Sequence, residues 1–167
     1  MRHFICSIFC AIAPAAAMAD ACLTGVWQAD VQGIAASMAA QMGGSAEVVG
    51  GGATMVMAPG GQMNVTVADL TISVTPPNVP TMDVTVTGFS RGTLSAEGGR
   101  FNTLVAEYSL VGSALVFGER MTIPFDSTTG LFGTASGTYT CSGDSLQLEP
   151  ATASPQNAVV RSWRRIG

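Results

Sequence analysis

The residues in this chain able to do chemistry are few, and most of the reactive types sit at its start. There is one histidine, His3, and no lysine, and the cysteines are Cys6, Cys10, Cys22 and Cys141. Residues 1–19 have the form of a secretory leader: Met1-Arg2-His3 is positively charged, 4–13 is apolar, and small residues lead to Ala17-Met18-Ala19, an A-x-A cleavage site. The apolar run is too short to span a bilayer. Cleavage after Ala19 would start the mature chain at Asp20 and remove His3, Cys6 and Cys10. A serine or thiol nucleophile would then have no histidine or lysine as its base. Paired carboxylates could still act as acid and base, yet the acids from Asp30 to Glu149 fall singly on polar strand positions and turns. Zinc would lack its nitrogen and sulfur ligands. The 126–130 loop lacks the spaced acids of a calcium loop, and the glycines of 43–52 lack a phosphate-loop pattern. The expectation is a protein that is not an enzyme and carries no cofactor or metal.

The two remaining cysteines, Cys22 and Cys141, read as a disulfide formed in an oxidising compartment, which places the mature chain in the periplasm or outside the cell. Closing so long a loop contributes about 4–5 kcal/mol by the chain-entropy argument. Each cysteine has a tryptophan-bearing segment near it in sequence: Cys22-Leu23-Thr24-Gly25-Val26-Trp27 at the start, and Tyr139-Thr140-Cys141 followed by Arg161-Ser162-Trp163-Arg164 at the end. Matching ends of this kind bring the first and last strands together, which is how a sheet closes into a barrel. Eleven acids stand against seven arginines, one of them in the leader. That balance disfavours nucleic acid and docking on an anionic membrane. An integral outer-membrane barrel needs aromatic girdles, and only two tyrosines and two tryptophans are present.

The elements that must position these residues are mostly strands. One helix is expected over 28–42, where Val31, Ile34, Ala35, Met38 and Met42 follow helical spacing. Its methionines are expected to fill core, and Gly43-Gly44 to end it. The 43–52 stretch is expected to be a connector. Met63, Val65 and Val67 alternate with polar residues, and Leu70, Ile72 and Val74 alternate in the opposite phase, which predicts a β-bulge at Ala68-Asp69. Further strands are expected around 82–86, 93–97, 101–110, 121–125, 136–141, 145–149 and 158–164. Pro76-Pro77-Asn78-Val79-Pro80, Gly98-Gly99 and Ser142-Gly143-Asp144 are the breaks. The fold class is therefore all-β, a single antiparallel up-and-down barrel of about 8–10 strands over residues 20–167, with one amphipathic helix after the first strand.

Gly25-x-Trp27 on the first strand, a helix after it and Arg161 on the last strand resemble the calycins, the lipocalin and fatty-acid-binding barrels. The resemblance implies that Gly25 and Trp27 are structural and that a late-strand arginine packs near the tryptophan. Strict alternation puts Arg161 and Trp163 on one face of the last strand. If that face is inward, Arg161 either plugs the barrel end against Trp27 or meets an anionic ligand head group. Arg161 and Trp163 are thus the candidate ligand-binding residues. The expected function is non-catalytic binding of a small, mostly apolar ligand, and the alternative is an envelope structural or interaction domain with a filled barrel. An internal cavity above about 300 Å³ would mark the binder, whereas a filled interior with apolar area outside would mark a partner interface.

Overall fold

The structure, a computed structural model, describes residues 20–116, 118–128, 131–151 and 160–167, without the side chains at 37, 38, 41 and 42. The expected leader 1–19, the packing of Met38 and Met42, and the beginning of the expected 158–164 strand lie outside the described residues. A 3₁₀ turn (Ala21–Leu23) leads into β1 (Gly25–Ala29) and α1 (Val31–Met42). Four long strands follow: β2 (Ser45–Met57), β3 (Gln62–Thr75), β4 (Met82–Glu97) and β5 (Arg100–Val116). Shorter ones complete the chain: β6 (Glu119–Pro124), β7 (Ala135–Ser142), β8 (Ser145–Pro150) and β9 (Ser162–Arg165).

Every pairing is antiparallel. The ring runs β1-β2-β3-β4-β5-β7-β8-β9 and returns to β1, an eight-stranded up-and-down barrel. The ninth strand, β6, pairs with the far half of β5 and stands outside the ring as a flap. The seam is the β1–β9 pairing, with Trp27 opposite Arg165, Gln28 opposite Arg164 and Ala29 opposite Trp163. The matching ends therefore meet as their composition implies.

Alternation explains the long strands. Met63, Val65 and Val67 face inward, and so do Leu70, Ile72 and Val74. The change of phase between the two sets is absorbed where the β3–β4 register slips between Val67 and Leu70, with Asp69 at φ 44°. That is the expected bulge. A second irregularity faces it in β2, where Gly51 takes φ 73° and a Cβ would stand 2.1 Å from the Asp69 carbonyl oxygen. Only glycine fits there.

Three expectations are corrected. The 43–52 stretch is not a connector: Gly43, at φ 67°, caps the helix through its N–H to the Ala39 carbonyl, and the chain enters β2 at Ser45. Composition misled because these glycines serve a bulge within a strand. The helix begins at Val31, not Gln28, because Gln28 is spent on both ladders of β1 and Ala29 on the β9 ladder, and Asp30 then caps the helix by accepting from the Gly33 N–H. The expected 82–86 and 93–97 strands are one continuous β4.

Cys22 and Cys141 form a disulfide with Cα atoms 6.1 Å apart, joining the 3₁₀ turn before β1 to β7 across 119 positions of sequence. Because nearly all the loop it closes is barrel, its effect is mainly on the unfolded chain. Reduction should lower the thermal unfolding midpoint by an amount equivalent to about 4 kcal/mol while far-ultraviolet circular dichroism keeps its strand signature. Loss of strand signal on reduction at low temperature would contradict this.

Candidate functional site

The closed end of the barrel is built around one arginine. Trp27 is fully buried, and its indole N–H donates to the Leu23 carbonyl at 2.8 Å. The Arg165 guanidinium lies 4.2 Å from the centre of the Trp27 ring. It donates to the carbonyls of Thr24 and Cys22, both at 2.5 Å, and to that of Gly143 at 3.3 Å. Gly25 is a glycine for the same reason: a Cβ there would lie 2.4 Å from Arg165 Nη1, and its φ is 138°. Asp20 adds a clasp. One carboxylate oxygen accepts from the Cys22 N–H at 3.0 Å and the other from the Tyr139 hydroxyl at 2.8 Å. These donors hold the Asp20 carboxyl below its ordinary value, and burial with the nearby carboxylate pushes the Tyr139 phenol up.

The inward placement of Arg161 is corrected. Arg161 is exposed, and its guanidinium lies 3.6 Å from Glu149, both side chains more than half accessible. Alternation does not carry through the end of the chain because β9 starts only at Ser162. Val160 and Trp163, three apart, are both buried, and the Trp163 indole N–H turns back to the Val160 carbonyl at 3.1 Å. Counting by twos forward from Trp163 would have found Arg165, which the sequence reading missed. Arg161 thus faces neither Trp27 nor the interior.

Trp163 lies in the other candidate region, the barrel interior. A pocket there is walled by side chains from β2 to β5, β7, β8 and β9, among them Met55, Met63, Leu94, Phe101, Leu148 and Trp163. The residual open space is about 30 Å³, room for about two waters at 10–15 Å³ each. The space is small because the 131–134 segment folds into it. Phe132 is buried, with its ring centre 5.9 Å from that of Trp163 and the planes tilted by 58°. Its φ of 57° is left-handed, a conformation that bulky side chains rarely take.

Three hydroxyls hold this segment by its carbonyls: Ser90 to Phe132 at 2.8 Å, Tyr108 to Leu131 at 2.8 Å, and Thr103 to Gly133 at 3.3 Å. Burial, with the charge of Asp126 adding to it, pushes the Tyr108 phenol up to about 12. Among the described residues no charged side chain lines the pocket, and Thr103, the one hydroxyl among them, already has partners. Sequence reasoning missed Phe132; the available signal was the pair Leu131-Phe132 set between glycines in a polar loop. A larger open cleft of about 350 Å³ lies where β1, α1 and β9 meet, with Ala29, Val31 and Trp163 in its walls beside Gln28, Asp30, Ser162 and Arg164.

Comparison with protein-family models, with curated proteins and with solved structures finds no match to this chain.

Two predictions follow from the closed end. Arg165→Met should cost about 1–3 kcal/mol in chemical denaturation, since it strands part-buried carbonyl acceptors and removes the stack on Trp27. Arg161→Met should stay within about 1 kcal/mol, as an exposed pair does; equal losses would contradict the placement of the clamp.

The Asp20 clasp should be felt in acid. A carboxyl lowered by folding adds stability above its unfolded value, and that stability is lost as pH falls through the folded value. The wild-type unfolding midpoint should therefore drop more steeply than that of Asp20→Asn below the ordinary value of 3.8. Parallel curves would show that the clasp contributes nothing.

Proposed function

We propose that this chain is an exported, non-catalytic binding protein that holds a small, neutral, mostly apolar ligand inside the barrel. The observation that carries the reading is the interior lining, which is apolar on every wall and has its single hydroxyl already bonded. Such a lining favours apolar ligands and penalises a charged one, because no group inside would compensate its lost hydration. An anionic head group has no support, since Arg161 lies outside. Export is supported by the leader-like 1–19 segment and by a disulfide suited to an oxidising compartment. The methionines Met55 and Met63 would give the interior walls that can adapt to a guest.

One observation favours the second reading, an envelope structural or interaction domain: the interior has only about 30 Å³ of free space, not the cavity above about 300 Å³ expected of a binder. On that reading the exposed apolar side chains Val111, Leu115 and Met121 of the β5–β6 flap would meet a partner.

Organic extraction of protein purified from its native compartment, followed by mass spectrometry, separates the two. The binder reading expects a neutral lipid-like or aromatic compound at near-stoichiometric amount. Extracts that match a buffer control, together with no uptake of added apolar compounds, would favour the filled domain.

A further inference from the structure

We infer that Phe132 is a built-in stand-in for the ligand, and that the site takes a neutral aromatic compound bearing a carbonyl acceptor, which enters by displacing it. This rests on the reading of the barrel as a binder. Three features of the 131–134 segment point to displacement. First, the segment belongs to no strand, since β7 begins at Ala135. Withdrawing it leaves every barrel ladder intact. Second, Phe132 is held in a left-handed conformation at φ 57°, a kind of backbone strain that concentrates at clamps and switches. Third, its polar ties are single hydrogen bonds rather than a ladder: Ser90, Tyr108 and Thr103 on the three carbonyls, the Val105 N–H on the Thr134 hydroxyl at 3.3 Å and the Thr134 N–H on the Ser127 carbonyl at 2.7 Å, beside the burial of Leu131 and Phe132.

The ligand class follows from what Phe132 presents. Its ring is packed near the Trp163 ring, in a pocket that Met55, Met63, Leu94 and Phe101 also wall. Its carbonyl accepts from the Ser90 hydroxyl, which is fully buried. When Phe132 leaves, Trp163 loses an aromatic neighbour and Ser90 loses its acceptor. A guest that restores both has a neutral ring and a carbonyl or similar oxygen beside it. The space is adequate. An apolar cavity of about 150 Å³ is enough for benzene, and a vacated phenyl ring adds volume of that order to what is already open.

The test uses acetophenone, which carries the acceptor, and ethylbenzene, which has nearly the same shape and no acceptor. Affinities are measured by titration calorimetry on the wild type, Phe132→Ala and Ser90→Ala. Displacement predicts that Phe132→Ala binds both compounds at least tenfold more tightly than the wild type, because the competitor is gone. The Ser90 assignment predicts that the wild type prefers acetophenone by at least fivefold and that Ser90→Ala loses this preference. Equal affinity in the wild type and Phe132→Ala overturns displacement and leaves the barrel as a binder. No binding by any of the three proteins overturns the binder reading and this inference with it. Amide hydrogen exchange on the wild type gives an answer even if the variants fail to fold. Saturating acetophenone should speed exchange at 131–134 severalfold, and unchanged or slower exchange there overturns displacement.

Discussion

A guanidinium drawn out of water must find acceptors in the protein, and at the closed end of this barrel Arg165 finds them in separate stretches of chain. It reaches the carbonyls of Cys22 and Thr24 before β1, the carbonyl of Gly143 in the β7–β8 turn, and the face of Trp27. Arg165 itself belongs to β9 and pairs directly opposite Trp27. One side chain therefore sets the register of the seam and the position of the 3₁₀ turn under the barrel floor. The disulfide and the Asp20–Tyr139 hydrogen bond reinforce the same junction. Gly25 is the concession that lets the arginine pass.

Closure at that seam has a consequence for the interior. A ring of paired strands has no free edges, and the flap strand β6 carries Arg120 and Pro124, residues that discourage edge pairing. What a closed ring must solve instead is how to fill its middle. Here the walls are methionine, valine, leucine and phenylalanine, and the last of the space is taken by Phe132 from a connecting segment rather than by a strand residue. A strand residue is fixed by its ladder, whereas a connecting segment is not, which is what the proposed displacement requires. The near absence of free space and the reading of the barrel as a binder are thus compatible.

Much of this architecture was legible from residue pattern. The opposite phases of Met63-Val65-Val67 and Leu70-Ile72-Val74 located a bulge to the residue, because period-2 burial leaves no other way to keep both sets inside. Cys22 and Cys141 announced their pairing through their isolation. The candidate site was less legible. Arg161 was an interior candidate on the condition that alternation carried past the start of β9, where the backbone no longer obeys it, while Arg165 sits in phase with Trp163. Phe132 was invisible to periodicity because it lies between strands. Its burial depends on hydroxyls at Ser90, Tyr108 and Thr103, in two strands distant in sequence, meeting carbonyls whose positions only the folded chain defines.

The central claim is that the barrel interior beside Trp163 is a ligand site now filled by the protein itself. Nuclear Overhauser contacts between a bound neutral aryl ketone and the methionine methyl groups test it most directly. The account predicts contacts to Met55 and Met63, both of which line the interior pocket with Trp163. Contacts confined to Met121, exposed on the flap, would place the compound on the outer surface and contradict it.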